Sequence, residues 1–481
     1  MNHSAQAHAP HAAASLPEFA ATFSAFAASL TADQLPAEVL AATRLNLRDT
    51  LACATAGLSA PGVGEVLDLV RSWGGAPQAG IWCTGERVPA PHAAWVNGVM
   101  AHARDYDDTH DAAVLHAGVS VIPAALAAAE LRGGCSGAEL VAGIAVGLEL
   151  VCRLGLATRI GIIESGFIYS SLFGYFGATA AAARVMGLDA AAMQNAIGIA
   201  YSQAAGTHQV TRDAALTKRM QPGLAARAAI LAVELARRNV RGAQAIFEGV
   251  DGLFPTYLRG RYDPAVLRDG LGTHYHFVGL SYKPYPCCRF DHTAIDAALA
   301  IRAQPGFDAR LVRRIRVGVS NQAYEAVCTP PEIRRAPRSI VQAQFSIPYT
   351  VGCALVHGQA LLSHFTDAAL RDPAVLALAG ITECRADAEI ERDFGRSISP
   401  THIVVDAENG VFEARVDIPR GHPDRPMTTA DFELKLRDCL AFGGGNWAQG
   451  TAERLSATVG RVEQLADINE LTALLTPSTG A

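Results

Sequence analysis

The sequence predicts a mainly α-helical protein, in which a large all-helical domain carries an inserted, smaller α+β domain. Half of the residues are hydrophobic, and the chain is rich in Ala and Gly, which suits packed helices. Apolar side chains recur at helical spacing through the first half of the chain. By contrast, residues 311–320 and 401–418 alternate in the manner of strands. A length of 481 residues leaves room for two or three domains.

The first region is built from predicted helices. Helical spacing of apolar residues places them at 16–30, 36–58, 63–75, 93–101, 121–131, 138–155, 170–186, 190–205 and 214–239. Residues 80–91 predict a short strand or a loop. Gly187 suits a helix end and Asp189 suits an N-cap, so a turn joins two helices there. Gly174 and Gly177 permit close helix packing or the close approach of a ligand.

The second region mixes strands with a helix. Its predicted strands flank a helix at 339–360, and the sequence AENG at 407–410 predicts a hairpin turn. From residue 429 the pattern is helical again, at 429–440 and 452–465. An insertion is the simplest explanation of this order. We therefore predict a helical domain of residues 1–275 plus 426–481, and an α+β domain of residues 276–425.

Composition excludes several classes of function. The net charge is −6 and the pI is about 6.2, so a nucleic-acid partner is not expected. No uninterrupted apolar run is long enough to cross a bilayer, and the N-terminus reads as a frayed tail rather than a signal peptide. The ten cysteines show no metal-site or disulfide spacing, which predicts reduced thiols in a cytoplasmic protein.

A polar cluster at residues 101–122 interrupts two apolar segments. Three aspartates and three histidines stand out in it: His102, Asp105, Asp107, Asp108, His110 and His116. Charged side chains are costly to bury without partners, so such a cluster is either a solvated loop or a functional site. The density of carboxylates and imidazoles favours a site.

Lysine is rare in this chain. Of 40 basic residues only Lys218, Lys283 and Lys435 are lysines. A compact ammonium offers three rotatable donors and can lose its proton, which Arg cannot do. Lys218 and Arg219 stand together in TKRMQPG and could hold a carboxylate; the alternative is a solvated basic helix end.

Lys283 lies in SYKPYPCCRFDH, where two prolines fix the backbone. Tyr282, Tyr285, Arg289 and His292 crowd the same loop, which favours a site over a linker. Asp291 suits the N-cap of the helix that follows. The adjacent cysteines, at 287 and 288, have no thiolate-stabilising pattern, so we expect them to pack.

Six stretches give the chain a resemblance to the MmgE/PrpD family, which includes 2-methylcitrate dehydratase, cis-aconitate decarboxylase and iminodisuccinate epimerase. They are LNLRDTLACATAGL, AHARDYDDTHDAAVLHAGVSVIPAALAAAE, LFGYFGATAAAARVMGLDAAAMQNAIGIAYSQAAG, TKRMQPGLAARAAILAVELA, KPYPCCRFDHTAIDAAL and QAQFSIPYTVGCAL. The resemblance implies a helical domain with a smaller lid domain, a homodimer, and no cofactor or metal. It also implies an active site between the domains, over a small carboxylate substrate.

The resemblance points to a set of site residues. The predicted catalytic residues are Asp105, Thr109, His116, Lys218 and Lys283. Taken with the local patterns, it gives as predicted substrate-binding residues Arg219, Tyr324, Tyr169, Ser170 and His292. Two family histidines are replaced here, by Ile168 in SGFIYSS and by Gln221 in KRMQ.

These features leave several functions open. The first is a cofactor-free lyase of the hydratase or dehydratase type on a di- or tricarboxylate. The alternatives are an epimerase of an amino- or imino-dicarboxylate, favoured by the missing histidines, and a cis-aconitate-type decarboxylase. A metal-dependent hydrolase using His110, His116 and the Asp cluster has no defensible ligand spacing. A non-enzymatic carboxylate-binding relative is the last alternative.

Overall fold

The computed structural model describes residues 18–213, 215–394 and 400–477, and the predicted N-terminal tail lies outside them. The first region is helical apart from one small hairpin. Its helices are α1 Phe19–Ser29, α2 Ala37–Gly57, α3 Val63–Trp73, α4 Ala90–His102, α5 Gly118–Leu131, α6 Gly137–Ala157, α7 Ile162–Ser165, α8 Tyr169–Leu172, α9 Gly174–Val185, α10 Ala190–Tyr201, α11 Gln209–Arg212, α12 Thr217–Arg237, α13 Leu253–Leu258 and α14 Pro264–Arg268. The hairpin pairs β1 (Ala79–Gly80) with β2 (Arg87–Val88), so the prediction of an all-helical first domain needs this small correction.

The second region contains a four-stranded sheet. Its elements are α15 His292–Arg302, β3 Val312–Val319, α16 Asn321–Ala323, α17 Pro331–Arg335, α18 Ile340–Gln344, α19 Ile347–His357, α20 Pro373–Gly380, β4 Thr382–Ala386, α21 Ala388–Phe394, β5 Thr401–Ala407 and β6 Gly410–Val416. The strand order is β4-β3-β5-β6. β3 runs parallel to β4 and antiparallel to β5, and β5 forms the predicted hairpin with β6. The chain then ends in α22 Thr429–Gly443, α23 Thr451–Gly460 and α24 Asn469–Thr472.

Several local predictions need correction. The helix predicted at 170–186 begins at Tyr169 and is interrupted at Phe173, between α8 and α9. The helix predicted at 339–360 breaks because the Ser346 hydroxyl accepts the N–H of Tyr349 and starts a new helix, α19. The Asp291 side chain makes no cap hydrogen bond. Strand β4 was missed because only its first residue is buried, which removes the alternation.

Buried apolar side chains form two groups. One unites the helices of the first region with α22, α23 and α24, and the other lies between the sheet and helices α15 and α19. Helix α6 is long and apolar enough to cross a membrane, but 94% of its apolar window is buried inside the protein. Such burial is typical of a core helix. The limits of the two domains and the lid role of the second remain predictions.

Helix α12 lies at the centre of the first group and packs against α4, α5, α9 and α10. It meets α4 at two glycines, Gly98 and Gly223. A Cβ on Gly223 would lie 2.4 Å from the carbonyl oxygen of Trp95 and 2.9 Å from Val99 Cγ2. The two backbones therefore touch at a point where no side chain fits. This contact fixes the start of α12, which carries Lys218.

Helix α22 is joined to the helical core by the third lysine, Lys435, whose side chain bonds to two groups of the first region. Lys435 Nζ lies 2.6 Å from Asp49 Oδ1 in α2 and donates to the carbonyl oxygen of Tyr106 at 2.7 Å. The two side chains are 2% and 0% exposed. The attraction of Asp49 outweighs the burial of Lys435 and raises the pKa of its ammonium, so Lys435 stays charged.

We expect Gly223→Ala to destabilise the protein by about 1–3 kcal/mol, because the added methyl overpacks the α4–α12 contact. Urea unfolding measures the change. Gly64→Ala is the matched control: a Cβ at this glycine in α3 meets nothing within 4 Å. It should gain about 0.5–1 kcal/mol from lower chain entropy. Equal effects of the two substitutions would contradict the packing argument.

Lys435→Met should cost about 3–5 kcal/mol of unfolding free energy, because it leaves the Asp49 carboxylate buried without its partner. The double variant Lys435→Met with Asp49→Asn should recover part of this loss. Arg437→Met removes an exposed ion pair with Glu453 from the same helix and should cost under about 1 kcal/mol. A Lys435→Met protein as stable as the Arg437→Met protein would refute the prediction.

Candidate active site

The loop between α4 and α5 holds the polar cluster that the sequence singled out. Four carboxylates in this loop are buried, at positions 105, 107, 108 and 111. Each has a different kind of partner, as described below. The backbone at Asp105 has a positive φ of 53°, a conformation that Asp tolerates better than most residues. The cluster is therefore a built polar core and not a solvated loop.

Asp105 is held by two lysines. Its Oδ1 lies 2.8 Å from Lys218 Nζ, and its Oδ2 lies 3.3 Å from Lys283 Nζ. Burial alone would raise the pKa of the Asp105 carboxyl, but the attraction of Lys218 and Lys283 outweighs it and lowers that pKa far below its usual value. Burial would likewise lower the pKa of Lys283, and the carboxylates of Asp105 and Asp107 reverse that shift. Asp105 and Lys283 are therefore both charged at neutral pH.

Asp107 lies between two imidazoles. Its Oδ2 is 3.0 Å from His102 Nδ1 and 2.9 Å from His116 Nδ1, and the two rings meet edge to face at 4.9 Å. Burial would raise the pKa of the Asp107 carboxyl, but the two imidazoles outweigh it and hold the pKa well below its usual value. Burial lowers the pKa of His102 to about 4, so this ring is neutral at pH 7.

Asp108 and Asp111 have structural partners. Asp108 accepts the N–H groups of Ala117 and Gly118 and so caps the start of α5. Burial and repulsion from Asp107 raise the pKa of its carboxyl to about 6. Asp111 forms a buried ion pair with Arg289 at 3.0 Å and accepts the hydroxyl of Ser281. This second pair fastens the loop to the segment that carries Lys283.

Three consecutive carbonyl groups of the loop are each bound by a side chain from elsewhere. Gln344 Nε2 donates to the oxygen of Arg104 at 2.6 Å. Lys283 Nζ donates to the oxygen of Asp105 at 2.9 Å. Lys435 donates to the next carbonyl, that of Tyr106. Segments far apart in the chain thus fix the path of one short loop.

The side of this assembly that reaches solvent is formed by His116 and Lys218. Their side chains are 16% and 21% exposed, whereas those of Lys283 and Asp107 are 1% and 0% exposed. The ammonium of Lys218 also lies 5.5 Å from the centre of the Phe345 ring, which belongs to the second region. An anion entering here would meet positive charge beside an imidazole, which is the arrangement that proton transfer next to a carboxylate needs.

Asp105, His116, Lys218 and Lys283 are thus brought together, and Thr109 lies beside them. Its backbone N–H and C=O pair with those of Ser281, two residues before Lys283. The Ser170 hydroxyl accepts the backbone N–H of His116 at 2.8 Å, so Ser170 supports the site directly.

The remaining predicted substrate-binding residues have other partners. Tyr169 donates to the carbonyl of Ile160, and Arg219 donates to that of Pro61. Tyr324 is half-buried against the second apolar group. His292 is fully buried, with Nδ1 3.3 Å from Arg289 and no hydrogen bond to Nε2. Their roles toward a substrate remain predictions.

The sequence did not single out the residues that position the catalytic side chains and the loop. Asp107 and His102 were noticed only as members of the cluster, and Gln344 carried no signal at all. Lys435 did carry one, because lysine is so rare, but nothing around it in the sequence marked it further. Their importance depends on pairing across the fold, which spacing along the chain does not reveal.

One group among the described residues has the geometry to hold a cation. The ligand atoms of His102, Asp107 and His116 lie within 4.8 Å of one another. Asp107 Oδ2 lies between the two imidazoles, in contact with the Nδ1 atom of each. His110, which the hydrolase hypothesis required, accepts the backbone N–H of Ala113 and is not part of this group.

Burial raises the pKa of Cys288 to about 12, which agrees with a packing role for that thiol.

Ile168 and Gln221, which stand where the resemblance predicted histidines, both hydrogen-bond to the turn at residues 206–207. The backbone N–H of Ile168 donates to the carbonyl of Gly206, and the Gln221 amide donates to that of Thr207. Gln221 Oε1 is buried and has no hydrogen-bond partner. Neither side chain can take up or release a proton near neutral pH in the way that an imidazole can.

Comparison with known proteins matches most of the chain to the two domains of one protein family. Residues 21–264 match the MmgE/PrpD N-terminal domain, and residues 285–458 match the MmgE/PrpD C-terminal domain. A cis-aconitate decarboxylase-like protein, oryM, of Aspergillus oryzae is 27% identical over 93% of this chain and 95% of its own. Cis-aconitate decarboxylases of Aspergillus terreus and Homo sapiens are 26% and 28% identical, over 94% and 81% of this chain and 94% and 80% of theirs.

The two domain matches cover most of the chain, in the order in which the sequence motifs predicted them. The relatives are similar over nearly their full lengths, so the likeness is not confined to one segment. The protein therefore belongs to the MmgE/PrpD family.

Proposed function

We propose that the protein is a cofactor-free lyase that acts on a small di- or tricarboxylate by moving a proton next to a carboxylate. One observation carries the proposal: Lys218 and Lys283 converge on Asp105 beside His116, at the point where the buried cluster reaches solvent. No metal or cofactor is invoked, because the ammonium groups supply the positive charge that the reaction requires.

The mechanism follows from these positions. A substrate carboxylate competes with Asp105 for Lys218, whose side chain is the more exposed of the two lysines. His116 takes or returns the proton on the adjacent carbon. Lys283, buried and charged, steadies the enolate-like negative charge that develops. Asp105 keeps both ammonium groups in place, and its strongly lowered pKa leaves proton transfer to His116. Thr109 hydrogen-bonds a carboxylate or a leaving hydroxyl.

The type of lyase is the finer part of the proposal. We place hydration and dehydration first, as for a 2-methylcitrate dehydratase. The similar proteins from both Aspergillus species are named for cis-aconitate decarboxylation, so that reaction is the first alternative. Both reactions create or consume charge next to a carboxylate, and the lysine pair serves either one.

A second candidate is an epimerase of an amino- or imino-dicarboxylate. It is favoured by Ile168 and Gln221, because elimination needs an acid on the departing group and two potential acids are replaced here. An epimerase needs a proton carrier that can reach both faces of one carbon, which is a smaller demand on the number of acids.

The setting of the site forms part of the same proposal. We propose that the second region acts as a lid, since Phe345 and Lys283 bring it against Lys218 and Asp105. Arg219, Tyr324, Tyr169, Ser170 and His292 are proposed to bind or frame the substrate. We also propose a cytoplasmic protein without nucleic-acid or membrane partners.

We further propose a homodimer that buries an exposed apolar stripe. Leu224 and Leu231 lie two turns apart on α12 and are 37% and 46% exposed. Between them Arg227 stacks on the rings of Trp73 and Trp95. Exposed apolar patches of this kind mark association surfaces, and the resemblance to the family implies a second copy of the chain as the partner.

Light scattering of the purified protein should give the mass of two chains. Leu231→Glu should shift it toward one chain, because a charge would be buried without a partner. Leu434→Glu is the control, as Leu434 is also an exposed leucine but lies on α22. A monomeric wild-type protein would remove the proposal.

Turnover tests the function. Purified protein is mixed with 2-methylcitrate, citrate, cis-aconitate and related acids, while enoate absorbance and released CO₂ are followed. We expect one of these acids to react, and Lys283→Gln to lower kcat by about 10²–10³, the usual cost of losing one charge-stabilising donor. Arg310→Gln, at an exposed pair with Asp308 in the second region, should leave kcat unchanged.

Deuterium exchange separates the two candidates. An epimerase should wash solvent deuterium into the α-carbon of an amino-dicarboxylate without net elimination. Elimination or CO₂ release without such exchange supports the lyase. A folded protein that turns over no member of the panel would favour a carboxylate-binding relative without activity. A Lys283→Gln variant that keeps all of any detected activity would favour the same reading.

A further inference from the structure

Two imidazoles that share one buried carboxylate are the part of the site whose role is not yet explained. Asp107 is 0% exposed, and both of its oxygens lie 3.0–3.1 Å from His102 Nδ1. Its Oδ2 also lies 2.9 Å from His116 Nδ1. His116 Nδ1 has a second neighbour, the backbone oxygen of Asp108, at 2.6 Å.

These contacts decide which nitrogen of His116 carries the proton. A carbonyl oxygen accepts hydrogen bonds and never donates them, and an ionised carboxylate does the same. Both neighbours of His116 Nδ1 are therefore acceptors, so Nδ1 must carry hydrogen. In the neutral ring Nε2 is then the nitrogen with a lone pair, and it is the one able to take a proton.

We infer that Asp107 is a positioning residue of the proposed lyase site, which fixes His116 as the Nδ1–H tautomer and leaves Nε2 as the base. The inference rests on the proposed function. A buried carboxylate that orients a histidine in this way is the arrangement of the Ser-His-Asp triad, where the carboxylate sets the tautomer and does not itself take the proton. Here the backbone carbonyl of Asp108 is a second acceptor for His116 Nδ1–H and favours the same tautomer.

His102 is the second imidazole that holds Asp107 in place. Its side chain is 1% exposed, and its Nδ1 spans both carboxylate oxygens. Without this anchor the carboxylate could rotate away from His116, but its charge would remain. Loss of His102 should therefore weaken catalysis less than loss of Asp107.

The neighbouring charges keep Asp107 ionised. Lys218 and Lys283 lie on the Asp105 side of the loop, and Asp107 contributes to the raised pKa of Lys283. Asp49 and Asp108 are the like charges that face the cluster, and Asp108 is partly compensated by the start of α5. Positive groups and N–H donors thus oppose protonation of Asp107 from several elements.

The first test reads the tautomer directly and needs no substrate. Nitrogen-15 NMR of histidine-labelled protein distinguishes Nδ1–H from Nε2–H rings, and His116→Gln assigns the signal. We expect the Nδ1–H form in the wild type and a mixture in Asp107→Asn, whose amide can also donate. Asp296→Asn, a buried aspartate that binds Tyr285 and Arg425, should leave the signal unchanged. An Nε2–H ring in the wild type would overturn the inference.

The second test is kinetic, on whichever substrate the panel identifies. Asp107→Asn should lower kcat by about 10²–10⁴ with KM changed less than a few fold, by analogy with the triad carboxylate. His102→Gln should lower kcat by about tenfold or less. An unchanged kcat in Asp107→Asn would refute the role. A rise in KM of about 10²–10⁴-fold with kcat unchanged would refute it as well, because it would indicate a role in binding.

Elemental analysis of the purified protein supplies the remaining outcome. One bound transition-metal ion per chain, lost in His102→Gln, would make these three side chains metal ligands and overturn the inference. If no acid in the panel reacts but the wild-type ring is Nδ1–H, the proposed function fails, while the assignment of the His116 tautomer to its contacts with Asp107 and Asp108 stands.

Discussion

The site depends on the fixed path of residues 104–106. Asp105 adopts a left-handed backbone conformation, and the carbonyls of Arg104, Asp105 and Tyr106 all point into the protein toward donors. Buried carbonyls without hydrogen bonds are costly, so this path exists only because three side chains complete it. Those donors belong to three separate segments. The loop can therefore take this form only when the whole chain has folded.

The same contacts balance the charges. Lys283 serves both the carbonyl and the carboxylate of Asp105, so one ammonium supports the backbone and neutralises the side chain. Asp107 is matched by two imidazoles, and Asp108 by the N-terminus of α5. Because each buried carboxylate of the cluster has its own partner, part of the cost of burying its charge is offset. Only its solvent-facing edge, His116 and Lys218, is left to meet an anion.

Much of the fold was predictable, since apolar residues at helical spacing mark buried helix faces wherever they lie in the chain. The hairpin β5–β6 was predictable because apolar and polar residues alternate along its strands on both sides of a turn sequence. Strand β4 was not, because an exposed edge strand has no buried face to mark it. The break before α19 depends on one capping serine, whose local hydrogen bond overrides the helical periodicity of the segment. The Asp291 side chain turned from its expected cap toward Thr350, which only packing could decide.

The sequence by itself determined the ingredients of the site: a dense acid–imidazole loop, three rare lysines, a proline-stiffened segment and the family motifs. These are local features, and composition or spacing exposes them. Tertiary structure decided the pairings, because the partners are far apart along the chain. Lys283 and Asp105 are separated by 178 positions, and Lys435 and Asp49 by 386. Which lysine meets which carboxylate, and which nitrogen of His116 carries its proton, follow from geometry that no stretch of sequence contains.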